Sequence, residues 1–318
     1  MISVLVSVIV TTKNEESNIE NCLKSLIYQS YKHIEIIVVD NNSTDRTKTI
    51  AKKYTDLVYD RGPERSAQRN FGVSVSNGEY ILYLDADMIL APFVIESCVA
   101  EFKNSPLVVG LYIPEIILGS GLFCKTRRFE RSFYNATPID AIRFVKKDIF
   151  IKVNGFDESF SGSEDWDFNR KISSFGELKL ISGYKILSEE KEVNELKKNG
   201  FLKEIANFLI SNGIRSNDLN YKYNNVIFHN EIKINLAKYF SKKSYYMKGF
   251  DIYINKWGKN DIIVKKQFGL YYRYMVVFTE NGKWRKLVRH PLLTVSMYFL
   301  KGAVGVVYVW HNLYKFIK

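Results

Sequence analysis

Cysteine, histidine and proline are scarce in this 318-residue chain, at three, four and six. Cys22, Cys98 and Cys124 are widely spaced and odd in number, which argues against a disulfide framework or a paired zinc motif and fits a reducing compartment. The first apolar run, Val4 to Val10, has neither a basic lead nor a small-residue cleavage site, so no secretory signal is expected and the chain is expected to stay inside the cell. Thr11 to Ser17, which follows that run, contains no glycine, and this argues against a Gly-rich phosphate loop or a dinucleotide fingerprint. No internal repeat or low-complexity tract is visible. What is present is apolar: 46% hydrophobic residues are enough to bury a sizeable core, so disorder is not expected.

The net charge of +12 is unevenly placed. Residues 233–318 carry 17 Lys or Arg against Asp251, Asp261 and Glu280, a balance of +14, which leaves −2 for the rest. A near-neutral front and a basic back end imply an anionic partner surface, phospholipid or nucleic acid.

Over the first ninety residues, Val- and Ile-rich runs alternate with helical stretches. Val4–Thr11, Ile34–Asp40, a brief Leu57–Asp60 and Tyr80–Asp85 read as strands. Asn18–Tyr28, Thr44–Tyr54 and Glu64–Ser76 read as helices. The apolar runs lack strict alternation, as strands buried on both faces of a parallel sheet do. Such sheets bind ligands beyond the carboxyl ends of their strands, where Asp40 and Asp85 fall. Further on, the pattern predicts a helix near Pro92–Asn104, strands near Val108–Ile117 and Ala141–Val145, and a loop at Asn154–Phe160. Residues 189–222, with a helix over Leu196–Ile210, read as an insertion or acceptor-side lobe. A boundary is expected near residue 230, dividing a domain of 1–230 (halves of about 1–90 and 91–230) from a basic, largely helical region of 231–318.

Five polar clusters stand out. Asp85-Ala86-Asp87 lies on a turn at the ligand edge; such carboxylates are either solvated acids or hard-cation ligands for Mg²⁺ or Mn²⁺ with a nucleotide diphosphate. Asp40 can accept a base N–H, while Asn42 and Ser43 can contact ribose, cap the next helix, or both. Thr11, Asn14 and Glu15 form a third polar strand end. Arg65 and Arg69 share a helix face and suit phosphate oxygens, as an exposed basic face also would. Glu164 and Asp165, in Ser163-Glu164-Asp165-Trp166-Asp167, open a helix, where acids complement the dipole or serve as a general base.

In order along residues 3–170, the runs Val8–Glu15, Val38–Asp45, Gln68-Arg69-Asn70-Phe71-Gly72, Asp85-Ala86-Asp87 and Glu164–Asp167 closely resemble family 2 glycosyltransferases. The resemblance implies a GT-A fold, a nucleotide-binding α/β sandwich with a mostly parallel central sheet, and sugar transfer with inversion. It implies that Thr11, Asn14, Glu15, Asp40, Asn42 and Ser43 form the nucleotide pocket. Arg69 would face the diphosphate, Asp85, Ala86 and Asp87 would form the metal and ribose motif, and Asp165 would be the acceptor-activating base, supported by Glu164. Asp87 is the more direct expected metal ligand. His229 completes the metal shell in some relatives and is otherwise an ordinary structural histidine; the stretch His229-Asn230-Glu231 followed by Lys242-Lys243-Ser244-Tyr245-Tyr246 resembles a tail of microbial, particularly archaeal, membrane-associated members. Ser163 departs from the family pattern, in which a glycine often precedes the acidic pair.

The expected donor is a nucleotide diphosphate sugar, uridine-linked because a carboxylate at Asp40 suits a uracil imide, and the expected acceptor is a lipid-linked or glycan hydroxyl or phosphate. Nucleotidyl transfer shares the sheet and metal but usually shows a Gly-rich loop. A nucleic-acid-binding module on the Tyr-rich basic tail is the non-enzymatic alternative. The apolar run Pro291–Trp310, interrupted by Lys301, favours lipid instead, and no nucleic acid is expected. A central lysine costs about 2.5–3.5 kcal/mol in a spanning helix. An interfacial helix avoids that cost, with Lys301 at the headgroups and Leu300, Val304, Val307 and Trp310 in the acyl boundary. This predicts peripheral or monotopic attachment to an anionic membrane, on its cytoplasmic side, with packing of the tail as ordinary core as the alternative.

Overall fold

The Val/Ile runs become the centre of the sheet. In the computed structural model, which describes residues 3–183, 201–247 and 249–317, β1 (Val6–Thr12) is buried throughout. β2 (Ile34–Asp40) is buried over its last five residues, and β4 (Tyr80–Asp85) over its four central ones. With β3 (Val58–Asp60), β6 (Val108–Tyr112), β8 (Ile142–Lys146) and β9 (Glu177–Leu180) they form a seven-stranded sheet in the order β3-β2-β1-β4-β8-β6-β9. The pairs β3-β2, β2-β1, β1-β4 and β6-β9 are parallel, and β8 runs antiparallel to β4 and β6. Thr12 is in register with Asp40 and Thr11 with Asp85, so the polar ends of β1, β2 and β4 meet at one edge. The mostly parallel α/β sheet anticipated from the alternating runs is present.

Helices cover both faces. α1 (Ile19–Ile27) buries Ile19, Cys22, Leu23 and Leu26, the i, i+3, i+4, i+7 stripe of a core-facing helix. Each such fully buried side chain contributes about 1.5–3 kcal/mol relative to exposure. α3 (Arg65–Ser74) lies on the other face, close enough that a Cβ on Gly72 would come within 2.4 Å of Ile9. α2 (Thr47–Ala51) and α4 (Val94–Asn104) complete the layers of this half.

A second, three-stranded sheet of β5 (Met88–Leu90), β7 (Glu115–Ile117) and β10 (Ile227–His229), in the order β5-β10-β7, was not anticipated. Three-residue strands are too short for a periodic signal. The single strand expected over Val108–Ile117 is split in two, because Pro114 has no N–H to continue a ladder. α5 (Leu122–Arg131), α6 (Lys147–Lys152) and α7 (Glu164–Ser173) follow, and α7 starts where the acidic cluster was read as opening a helix. α8 (Phe201–Ser211) and α9 (Ser216–Tyr221) fall in the presumed lobe, whose residues 189–200 lie outside the described ones.

The basic tail is helical: α10 (Leu236–Met247), α11 (Phe250–Trp257), α12 (Ile262–Phe268), a π-helical turn (Tyr272–Val276), α13 (Val277–Thr279), α14 (Trp284–Arg289) and α15 (Pro291–Ile317). It packs against the front of the chain. Phe129 and Phe133 share a buried cluster with Tyr272, Val277, Phe278 and Met297, and Arg170 is paired with Asp261 at 2.7 Å. One expectation for α15 is reversed. Leu300 and Lys301 are only 5% and 6% exposed and face the protein, with Lys301 Nζ 3.3 Å from the Tyr134 hydroxyl and 3.8 Å from Glu130. Lys301 therefore does not reach outward to headgroups. The outward side carries Leu292, Val295, Phe299 and Val306, while the side chain of Trp310 lies outside the described residues. Among the described residues no helix is long and apolar enough to cross a membrane.

Candidate functional site

The register of β1, β2 and β4 delivers three loops to one place, and α3 and α7 reach it from the opposite side. Arg69 joins them. Its side chain is 1% exposed, with the guanidinium carbon 4.8 and 5.0 Å from the rings of Tyr83 and Phe156. Nη2 donates to Asp85 Oδ1 at 3.1 Å and Nη1 to Asp165 Oδ1 at 2.9 Å. Burying a guanidinium this fully costs several kcal/mol unless its charge is matched, and here two carboxylates match it. Thr11 Oγ1 also donates to Asp85 Oδ1, at 3.0 Å, and Arg65 Nη1 lies 3.6 Å from Asp85 Oδ2. Burial would raise the Asp85 pKa, but Arg69, Arg65 and Arg143 outweigh it and hold the carboxyl well below the usual range. Both Asp85 oxygens are thus engaged by protein cations.

Asp87 is different. One oxygen, Oδ1, is buried without a hydrogen-bond partner, and Oδ2 lies 3.2 Å from His229 Nε2. The small sheet makes this meeting possible, since Met88 is in register with His229 across the β5-β10 pair. Behind the imidazole, Nδ1 is 3.8 Å from Glu115, itself held by Arg131 and Arg143 at 3.2 and 3.1 Å. Burial alone would lower the His229 pKa, but Asp87 and Glu115 raise it to about 10. Glu15 lies nearby; burial, Asp87 and Asp85 push its carboxyl up while a hydrogen bond from Asn18 opposes them. Among the described residues no cluster of three or more His, Cys, Asp or Glu forms a preset metal cage.

At the β2 end Asp40 is fully buried, and its two oxygens accept from Ser43 N and Ser43 Oγ at 2.6 and 2.5 Å. Asn42 supplies the left-handed turn of that loop, with φ 51°. Asn14, at φ 53°, cross-links the loops: its N–H donates to Ser43 Oγ at 2.7 Å and its Oδ1 accepts from Thr44 N at 2.9 Å. These four residues build the β1-β2 rim. The cavity beside it, about 370 Å³, is lined by Thr11, Glu15, Asp85, Ala86 and Asp87, but not by the side chains of Asp40, Asn42, Ser43 or Asn14.

Glu164 is 3% exposed; Oε1 accepts from Arg65 Nη2 at 2.8 Å, and Oε2 is buried without a partner. Burial and Asp165 raise its pKa against the pull of Arg65 and Arg69. Asp165 is 24% exposed and, among the described residues, its Oδ2 accepts no hydrogen bond. The acidic pair is therefore divided. Glu164 holds Arg65, and Asp165 keeps a free oxygen.

Two contributions were not legible. Lys242 and Tyr245, on α10, line the same cavity as Asp87, and Lys242 is held charged against burial by Tyr246 and Asp87. Gln68 ties the ends of β1 and β2 together, donating to Thr12 O and Val39 O at 3.0 and 2.6 Å. Lys242-Lys243-Ser244-Tyr245-Tyr246 reads in the sequence as basic charge and as a tail resembling that of microbial relatives, with no role attached to Lys242 or Tyr245, and nothing local says that α10 folds back over the front of the chain.

Residues 7–156 match the family model of Glycosyl transferase family 2. The chain is 26% identical over 268 residues to the GalNAc(5)-diNAcBac-PP-undecaprenol beta-1,3-glucosyltransferase of Campylobacter jejuni, covering 76% of this chain and 82% of that one. It is 28% identical over 201 residues to the uncharacterized glycosyltransferase EpsJ of Bacillus subtilis, covering 56% of this chain. The match spans 58% of EpsJ, little more than half its length. Among solved structures, the mannosyltransferase PcManGT of Pyrobaculum calidifontis, in complex with GDP-Man and Mn²⁺, is similar with a TM-score of 0.54 over 96% of this chain and 83% of that one. At 17% identity that likeness concerns the fold, which is the GT-A fold expected from the sequence.

Proposed function

Through residues 7–156 this chain belongs to family 2 of the glycosyltransferases, and on that premise we propose that it transfers a sugar, with inversion, from a nucleoside diphosphate donor to a hydroxyl of a lipid-linked or glycan acceptor. The observation that carries this reading is the single guanidinium of Arg69, bonded at once to the donor-side Asp85 and the acceptor-side Asp165. Donor pocket and base are thereby held a fixed distance apart, as a displacement across one anomeric carbon requires.

In this reading the acceptor hydroxyl is oriented at Asp165 Oδ2. The acceptor oxygen bonds to the anomeric carbon as the bond from that carbon to the β-phosphate oxygen breaks. The hydroxyl proton passes to Asp165, and the nucleoside diphosphate leaves with the electron pair. Glu164 fixes Arg65, and Arg65 and Lys242 face the developing phosphate charge. Asp87 and His229 suit a divalent cation, Mg²⁺ or Mn²⁺: a buried carboxylate oxygen without a partner stands beside an imidazole nitrogen, and substrate phosphates would supply the remaining ligands. Such a cation, when bound, neutralises charge on the leaving diphosphate. Asp85 serves the site through Arg69 and Arg65 rather than as a free ligand.

For the base, a uridine reading rests on Asp40 at the end of β2; its carboxylate is buried on Ser43 and does not line the cavity, so contact with a uracil imide requires Ser43 to give way. Calorimetric titration of UDP against GDP checks it, and tighter GDP binding overturns it. The membrane reading rests on α14 and α15. Leu292, Val295 and Phe299 are 83, 70 and 80% exposed, Val306 is 68% and Val288 70%, and Arg285 and Arg289 are exposed beside them. An apolar stripe with basic neighbours suits an anionic lipid surface at the cytoplasmic face. Release of nucleoside diphosphate from a panel of sugar nucleotides, with Mg²⁺ or Mn²⁺, tests the proposed activity; no release from any donor counts against it.

A further inference from the structure

Behind Asp165, away from the Asp87 cavity, lies a second cavity of about 320 Å³. Its wall beside the base is aromatic: Trp166 stacks on Phe250 at 6.1 Å and meets Phe268 edge-on at 5.6 Å. A further part of its lining is cationic, formed by Lys243, Arg273 and Lys301. It also includes Leu270, 73% exposed, which brings it to the surface beside the exposed Tyr271 and Met275.

Among the described residues, two of the three cations, Lys243 and Arg273, lack an acidic partner, while Lys301 stands 3.8 Å from Glu130. Glu130, the one acid among them, is shared: it accepts from Arg127 at 2.7 Å and from the Tyr134 hydroxyl at 2.5 Å, and pairs with Lys301. Arg127 also engages Glu231, at 3.3 Å. Arg273 Nη1 donates to the Gln267 carbonyl at 3.0 Å, and Lys243 Nζ lies over the Tyr239 ring at 5.3 Å. Among the described residues neither Lys243 nor Arg273 makes an ion pair. Burial, then the neighbouring Arg127 and Arg273, pushes the Lys243 ammonium down to about 7, the direction expected of a cation lacking an anion. Three cations around one shared carboxylate leave an excess of positive charge in the cavity, a standing cost that a phosphate would relieve.

We propose that this cavity is the acceptor site and that it takes a phosphate or diphosphate ester of an apolar alcohol, its phosphate on Lys243, Arg273 and Lys301 and its sugar toward Asp165. The proposal rests on the reading of Asp165 as the base. The aromatic wall suits a sugar ring, the cations suit the phosphate, and Leu270 and Val304 offer an apolar way out for the chain. Donor phosphates have their own cations, Arg65 and Lys242, on the other side of the site.

The test is binding of geranyl diphosphate to the full chain by calorimetry, against geraniol, glycerol phosphate and inorganic pyrophosphate, with UDP titrated in parallel. Geranyl diphosphate is expected to bind about tenfold or more tightly than any of the three controls. Lys243→Gln and Arg273→Gln are each expected to weaken it about tenfold while UDP binding is unchanged. Unfolding midpoints identify a variant that has lost its fold, and the comparison among the four probes on the unmodified protein needs no variant. Geraniol binding as tightly as its diphosphate, pyrophosphate or glycerol phosphate binding as tightly as the ester, or folded variants that bind undiminished would overturn the assignment. If UDP binds and geranyl diphosphate does not, this site is lost and the glycosyltransferase reading stands. If geranyl diphosphate binds and no sugar nucleotide does, the cavity stands as an anion site and its role as acceptor site falls.

Discussion

Asp85 and Asp165 hydrogen-bond to two nitrogens of one buried guanidinium, that of Arg69, at 3.1 and 2.9 Å. The first sits at the end of a sheet strand and the second in the opening turn of a helix, so this one side chain couples the end of β4 to the start of α7. Arg69 holds one oxygen of Asp165, and among the described residues the other accepts no hydrogen bond.

Arg69→Met should therefore cost stability as well as activity. It leaves Asp165 without its cation and Asp85 with only Arg65 and Thr11. The loss is expected to be about 3 kcal/mol, the low end for severing a buried pair, because both carboxylates keep some solvent contact. Urea unfolding monitored by circular dichroism measures it, and a midpoint equal to that of the unsubstituted protein would show that the two acids need no guanidinium.

Asp87→Ala should remove metal-assisted donor binding while the fold stays intact, since the lost side chain has one oxygen without any partner. Titration of UDP with and without Mn²⁺ is expected to show a metal-dependent gain in the unsubstituted protein and none in the variant. Full turnover in excess chelator would contradict a role for a divalent cation.

Acid should destabilise the tail–domain junction through Glu130. Burial works against its charge, but Arg127, Lys301, the Tyr134 hydroxyl and Lys243 outweigh it and lower its pKa to about 2. A depressed folded pKa gives stability that is present above the unfolded value, near 4.5, and is lost as pH falls toward 2. That contribution is roughly 3 kcal/mol. Glu130→Gln should flatten the pH dependence of unfolding over that window; an unchanged slope would mean that the carboxylate is not held as the structure indicates.

Much of this was readable in advance, and the failures share a cause. Strands such as Tyr80–Asp85 came out with the expected ends because dense Val, Ile and Leu runs stop at polar residues. The positions of Asp85, Asp87 and Asp165 at element ends were readable because local sequence marks those boundaries. That Asp87 meets His229 was not derivable from the residues themselves: it depends on the pairing of two three-residue strands far apart in the chain. The outward side of α15 was misjudged for a related reason. Its apolar residues occupy more than one face, and only packing against Phe129, Phe133 and Phe278 decides that Leu300 and Lys301 turn inward while Phe299 turns out.

That orientation makes the membrane proposal testable by residue. Leu292→Ser with Phe299→Ser should abolish flotation with liposomes containing anionic lipid, whereas the unsubstituted protein floats. Because both side chains are exposed, the unfolding midpoint should hardly change. Failure of the unsubstituted protein to float, or equal flotation of the variant, would remove the lipid surface from the account.

The central claim is that Asp165 removes the acceptor proton, and the most direct measurement separates donor binding from turnover in Asp165→Asn. With a sugar nucleotide that the unsubstituted protein consumes, and its acceptor, single-turnover rates are expected to fall by roughly 10²–10⁴ while donor affinity stays within about twofold. Transfer by Asp165→Asn at the unsubstituted rate, or a loss confined to donor affinity, would contradict the account.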